Sequence, residues 1–216
     1  MRLVISGTVG VGKSTVSNLL KQKLQQELEN CKINLLKEET TDSIYLKDYY
    51  DKPQEWAFIA QLDFLFERFK NWLNDENERS KSSEIITIYD RHFIDDYIFA
   101  ELHSIKENIS IINSLAYQTI YKDIIGKMKE MHAEPDLFIL LKAPLDTIVN
   151  RFKERNRLEE REVDMDYWKQ LYHNYYERPF FKYHFSSNSK KVIEIDTEQK
   201  TPNEIVDIII NIILKK

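Results

Sequence analysis

One cysteine, four glycines and five prolines are all that 216 residues contain. Each scarcity excludes something. A lone Cys31 cannot close an internal disulfide, and no other cysteine exists to share a metal with it. So little glycine and proline leaves no flexible linker and no low-complexity tract, and the chain reads as one domain over residues 1–216. Positive charge is also short. Lys and Arg number 31 against 36 Asp and Glu, a net charge of −5, whereas a nucleic-acid binder normally presents a basic face. Long apolar runs are missing too: Ile205–Leu214 and Leu137–Leu141 fall well short of the ~20 residues that cross a bilayer. Nothing at the N-terminus has the form of a signal peptide, because the strand-like run from Met1 to Ser6 leads straight into a glycine loop. These absences make a cytoplasmic protein the expectation, with neither nucleic acid nor membrane as partner.

What is present is a full core, at 42% hydrophobic and 12% aromatic residues. Short apolar runs alternate with helical periods, the pattern of a parallel α/β sheet. Strands are expected at Leu3–Ser6, Ile33–Lys37, Glu84–Tyr89, Leu137–Lys142 and Val192–Asp196. Helices are expected at Lys13–Glu29, Glu55–Leu73, Ile109–His132 and Asn203–Leu214, with Pro144 suited to the first turn of another. Arg161–Phe181, dense in tyrosine and charge, reads as one further helix. The sum is a three-layer α/β/α domain around about five parallel strands, with ligands at their carboxyl ends.

Three of the four glycines fall in Gly7-Thr8-Val9-Gly10-Val11-Gly12-Lys13-Ser14, with Thr15 next. This is the pattern G-x-x-x-x-G-K-S/T, placed directly after a strand and opening a helix, as its mechanism requires. The glycines let backbone N–H groups approach phosphate oxygens, and the helix N-terminus adds its dipole. Lys13 reaches the β- and γ-phosphates, and the Ser14 hydroxyl ligates Mg²⁺. A chance match of this pattern arises in on the order of 1% of chains this long at ordinary glycine frequency. In a chain this poor in glycine it is rarer still. The bound nucleotide is ATP or another nucleoside triphosphate.

Two further groups belong beside such a loop. Asp90 ends an apolar strand, where it either holds Mg²⁺ or caps the helix that follows; the phosphate loop upstream favours the metal. Arg91, next to it, offsets phosphate charge in the first case and is solvated in the second. Arg151, Arg155 and Arg157 follow a later strand and helix, the first two on one face by the i,i+4 rule. They suit a lid closing on transferring phosphate oxygens. The plain alternative is a solvated face paired with Glu154, Glu159 and Glu160.

The order of these motifs resembles the deoxynucleoside kinases, from Arg2 to about Tyr176. In that resemblance Glu38, at the end of Leu36-Lys37-Glu38, is the catalytic base, although Glu39 stands where the family usually has Pro. Tyr50, in Tyr50-Asp51-Lys52-Pro53, contacts the sugar 3′-hydroxyl, and the Gln61 amide bonds the base. Arg68 pairs with an acid near the base, Asp96, with Asp95 one residue away as the alternative. His92 stands in place of the family's Ser or Thr. Arg151, Arg155 and Arg157 grip phosphates, and Glu160 reaches the 3′-hydroxyl. The resemblance also implies a homodimer formed through helices.

The residues agree with this independently. On a helix Ala57, Gln61, Phe64 and Arg68 share a face, so an amide and a guanidinium enter one aromatic-rich pocket and need partners there. A base edge is such a partner, stacked on a ring. The implied reaction moves the γ-phosphate onto a deoxyribonucleoside 5′-hydroxyl, with Lys13, Arg91 and Glu38 as catalytic groups. Deoxyadenosine, deoxyguanosine or deoxycytidine is favoured over thymidine. A monophosphate kinase is the rival, and it would need an extra cationic site. A GTPase-type switch lacks its N-K-x-D motif.

Overall fold

The computed structural model describes residues 1–37, 46–82, 84–155 and 165–214, with side chains throughout these except at 46, 47, 50 and 152–155. Five strands, β1 (Arg2–Ser6), β2 (Lys32–Leu36), β3 (Ile85–Asp90), β4 (Leu137–Lys142) and β5 (Val192–Asp196), form one parallel sheet in the order β2-β3-β1-β4-β5. The inner strands are apolar on both faces, because helices cover both. Leu3, Val4 and Ile5 of β1 are fully buried, as are Phe138 and Ile139 of β4.

On one face lie α1 (Lys13–Glu27) and α9 (Pro202–Leu214), packing Val16, Leu20, Leu24, Ile205 and Ile209 onto the sheet. The other face carries α3 (Pro53–Arg79), α4 (Phe93–Ile105), α5 (Ile111–Glu130), α7 (Met165–Tyr176) and α8 (Pro179–Ser187) around an aromatic core that includes Trp72, Phe93, Phe138, Tyr175 and Phe181. The short α2 (Leu46–Asp51) and α6 (Leu145–Arg155) complete the described elements. No described helix is long and apolar enough to cross a membrane.

Two expectations change. Arg161–Phe181 is not one helix: α7 ends at Tyr176 and α8 begins at Pro179. A proline lacks the N–H an interior turn needs but suits the start of a new helix. Pro144 stands just before α6 rather than inside it, its carbonyl accepting the Ile148 N–H at 3.1 Å.

α3 is longer than the apolar period indicated. Its last turns are fixed by Asp75, a buried carboxylate that accepts the Tyr89 hydroxyl at 2.5 Å, Arg79 Nε at 2.7 Å and the Thr87 hydroxyl. Filling the carboxylate with donors offsets the several kcal/mol that burying a bare charge would cost. The clamp fastens the far end of α3 to β3. The near end is thereby aimed at the sheet's carboxyl edge, where Ile5 stands in register with both Asp90 and Ile139.

Candidate active site

The loop between β1 and α1 turns through three left-handed glycines, Gly7 (φ 138°), Gly10 (φ 79°) and Gly12 (φ 103°). Gly7 is required sterically. A Cβ there would lie 2.5 Å from the Leu141 carbonyl oxygen and 3.0 Å from Val11 Cγ1. Gly12 precedes the first turn of α1 and gives it no side-chain cap, so the first amides of the helix face outward as an anion site. Lys13 is buried and donates to the Thr8 carbonyl at 2.9 Å, which folds its ammonium back over the loop. Thr8 and Val11 are buried, while Val9 is half-buried and Thr15 exposed.

Ser14 donates from Oγ to Asp90 Oδ2 at 2.8 Å. The neighbouring helix does not use Asp90 as its cap. His92 does that work: its Nδ1 accepts the Ile94 N–H at 3.5 Å, and Asp95 returns a carboxylate to the His92 N–H at 2.8 Å. This removes the capping reading of Asp90 and leaves its carboxylate facing the phosphate loop. A hydroxyl and a carboxylate at hydrogen-bond distance are hard oxygen donors, the set a Mg²⁺ ion takes. Among the described residues no group of three or more His, Cys, Asp or Glu could hold a metal alone. A cation here would fill its remaining positions with phosphate and water.

Arg91 is not solvated either. It adopts φ 76° and is almost wholly buried. Its Nη1 donates to the Tyr175 hydroxyl at 2.8 Å and to the Gly7 carbonyl at 3.3 Å, and the guanidinium carbon lies 5.0 Å from the centre of the Phe99 ring. Asp95 lies 3.6 Å away. Asp95 also accepts the Ser6 hydroxyl at 2.7 Å, so a fully buried carboxylate ties β1, β3 and α4 together.

Behind this lies the second half of the site. Arg68 meets Asp96 through two parallel bonds, Nε to Oδ2 at 2.7 Å and Nη2 to Oδ1 at 3.0 Å. Asp96 is thus the partner of Arg68, and Asp95 is excluded. Arg68 also donates to the Asp90 carbonyl at 3.2 Å. Gln61 is buried two turns earlier on α3, in the same stretch of helix as Trp56, Phe58 and Phe64, which pack around Ala57, Ala60 and Tyr49. Burial, with Arg68 adding to it, pushes His92 down to about 3; burial, helped by Lys106, pushes His103 down to about 4. Both rings are neutral. His103 Nδ1 faces the Asn108 amide at 3.1 Å, and its Nε2 meets the Tyr49 hydroxyl at 2.6 Å, which docks α2 on α4.

Of the other expected residues, Arg151 stands elsewhere. Arg151 spends its guanidinium on the Thr197 carbonyl (2.9 Å), the Thr197 hydroxyl (3.1 Å) and the Val11 carbonyl (3.4 Å). It braces the phosphate loop from behind. Tyr50 lies in α2 and Arg155 ends α6, but neither side chain is among those described. Glu38, Arg157 and Glu160 fall outside the described residues. β2 ends at Leu36 opposite Tyr89, which brings the chain to the Asp90 edge two residues before Glu38. Three residues absent from the sequence reading complete the centre: Ser6, Tyr175 and Tyr176. No local pattern marks them, because each acts across the sheet.

A parallel sheet of this order, with a glycine cradle on the central strand and a carboxylate on the next, defines a P-loop enzyme of the kinase type. The deoxynucleoside kinase family model matches residues 3–215, and the chain belongs to that family. It is 30% identical over 174 residues to the deoxyadenosine/deoxycytidine kinase of Bacillus subtilis (strain 168), covering 80% of this chain and 74% of the relative. A deoxyguanosine kinase of the same organism is 28% identical over 177 residues, 80% of this chain and 75% of the relative. The structure of deoxyadenosine kinase from M. mycoides with bound dCTP superposes with a TM-score of 0.80 at 26% identity over the whole of both chains.

Proposed function

We propose that this kinase transfers the γ-phosphoryl group of ATP, or another nucleoside triphosphate, to the 5′-hydroxyl of a deoxyribonucleoside, favouring deoxyadenosine, deoxyguanosine or deoxycytidine over thymidine. The observation that carries the reading is Arg68, whose guanidinium holds Asp96 on one side and the Asp90 carbonyl on the other. The pair that would read a base is therefore one residue's width from the carboxylate that meets the phosphate loop.

In this reading the loop amides and Lys13 hold the triphosphate, and Arg91 stabilises charge on the moving group. Ser14 and Asp90 would hold Mg²⁺, which supplies charge neutralisation across the β- and γ-phosphates. Gln61 and the Arg68–Asp96 pair orient the base, Tyr50 and Glu160 the sugar, and Glu38 takes the 5′-hydroxyl proton. Arg155 and Arg157 close on the phosphates, and Arg151 keeps Val11 in place beneath them. Relatives named for deoxyadenosine, deoxyguanosine and deoxycytidine support the choice of acceptor. Small-solute substrates fit a cytoplasmic enzyme of nucleotide salvage. A single domain over 1–216 is supported by two cores that share one sheet.

The test offers the four deoxynucleosides and their monophosphates with ATP and Mg²⁺. Phosphorylation of nucleosides is expected; a preference for monophosphates overturns the reading. Glu38→Gln should abolish turnover while nucleoside binding persists. A homodimer is part of the same proposal. Ile105, Ile111, Ile112 and Leu115 at the junction of α4 and α5 are 53–80% exposed, an apolar patch that a second copy of this chain would cover. Ile112→Lys should shift the sedimentation coefficient from dimer to monomer, and an unchanged value removes this face from the interface.

A further inference from the structure

α7 follows the arginine-rich segment and places two consecutive tyrosines against the phosphate end of the cleft. Tyr175 and Tyr176 are both almost completely buried, and each hydroxyl has one donor and one acceptor. The Tyr175 oxygen accepts from Arg91 at 2.8 Å, and its proton goes to Asp95 Oδ1 at 2.7 Å. The Tyr176 oxygen accepts the Thr8 N–H at 3.0 Å, and its proton goes to the Leu141 carbonyl at 2.7 Å. We infer that Tyr175 and Tyr176 are positioning residues for phosphoryl transfer, the first acting through Arg91 and the second through the phosphate loop; the inference deepens the kinase reading and rests on it.

The contacts explain why hydroxyls are needed. Arg91 sits on a left-handed backbone that few non-glycine residues adopt, so its guanidinium is aimed from an uncommon origin and has to be held at its far end. The neighbouring Phe99 ring fixes its plane but not its rotation within that plane. Tyr175 fixes the rotation, because it bridges Arg91 to an Asp95 carboxylate that stands 3.6 Å away, beyond direct hydrogen-bond reach. Tyr176 works on the loop. It occupies the Thr8 amide, so that N–H is turned away from the phosphate and the first bend of the loop is closed from outside. Its oxygen would also stand 3.1 Å from a Cβ on Gly7, so the tyrosine and the glycine shape the same bend. Burial raises both phenols above their ordinary range, Asp95 adding to it for Tyr175, and both remain donors at any working pH. Tyr121 makes the contrast: it is equally buried, but its hydroxyl has no partner among the described residues.

Phenylalanine at each position isolates the hydroxyl, and Tyr121→Phe controls for loss of a buried phenol oxygen. Tyr175→Phe should lower kcat about tenfold or more with KM for ATP nearly unchanged, and Tyr176→Phe should raise KM for ATP by a similar factor with nucleoside binding intact. Rates and KM values matching those of Tyr121→Phe overturn the inference while leaving the kinase reading in place. An inactive wild type with every deoxynucleoside overturns the kinase reading instead. Should Tyr176→Phe fail to fold, the wild-type protein gives the answer by amide NMR. Addition of ATP should move the Gly10, Gly12 and Lys13 resonances and leave Thr8 protected and unmoved; a Thr8 shift as large as theirs refutes the role of Tyr176.

Discussion

At the phosphate end of the cleft, eight consecutive residues supply the loop itself, and Asp90, Arg91, Arg151 and Tyr176 brace it from outside. At the end proposed for the nucleoside, Gln61 and Arg68 come from α3 and Asp96 from α4. Their placing depends on how those helices pack on the sheet and on one another. The first site is built by local backbone geometry and the second by tertiary contact. A change in the first therefore strikes the loop itself, whereas a change in the second is shared between recognition and stability.

The largest effect is expected from Gly7→Ala. The added methyl would press on the Leu141 carbonyl at 2.5 Å, a backbone atom that cannot swing aside, and displacing the loop by about an ångström should cost about 100-fold in kcat/KM. Gly12→Ala meets nothing within 4 Å and carries only the left-handed strain of about 1–3 kcal/mol. Steady-state kinetics on the two variants separate collision from strain; equal losses would show that the Leu141 contact is not what makes Gly7 necessary.

Next is Arg68→Met at the other end. It leaves Asp96 buried without its guanidinium, which should lower stability by about 3–5 kcal/mol and raise the acceptor KM while sparing the ATP KM. Adding Asp96→Asn should restore stability and not acceptor affinity. If the double variant recovers both, the pair is a structural clamp rather than a reader of the base.

The smallest effect, read per pH unit, is on acid stability. His92 and His103 are held at about 3 and about 4, below the ordinary 6.5, so both are neutral when folded at pH 7. As the pH falls through 6.5 the unfolded chain takes up two protons that the folded chain refuses. Stability is therefore intact above pH 6.5 and lost below it by about 1.4 kcal/mol per pH unit for each ring, down to about pH 4 for His103 and about pH 3 for His92. Urea unfolding at a series of pH values should show this slope, and His103→Gln should remove about half of it between pH 6 and 5. An unaltered slope would mean that His103 is not buried neutral.

The inner strands were legible because a strand covered on both faces is a nearly continuous apolar run, as at Ile85–Tyr89 and Leu137–Leu141. The phosphate loop was legible because its glycines, Lys13 and Ser14 are fixed relative to one another by a single turn of chain. The i,i+7 spacing of Gln61 and Arg68 placed both on one face of α3. The boundary at Pro179 was missed because Arg161–Phe181 was read by composition, whereas a proline decides locally where a helix must restart. Asp75 was missed because its three donors come from two elements and none is signalled by the sequence around it.

By itself, then, the sequence determined the order of strands and helices, the glycine loop and its lysine, and the shared face of Gln61 and Arg68 on α3. Each of these depends on residues within a few turns of one another. Only the tertiary structure decided that Asp96 rather than Asp95 meets Arg68, that His92 and Asp95 cap α4 and release Asp90 to Ser14, and that Arg151 braces the loop it was expected to overhang. Those outcomes turn on which carboxylate or guanidinium reaches which donor across the sheet. A difference of one residue changes a side chain's direction by about 100° on a helix, and no reading of spacing alone can choose between two neighbours when their partners lie tens of residues away.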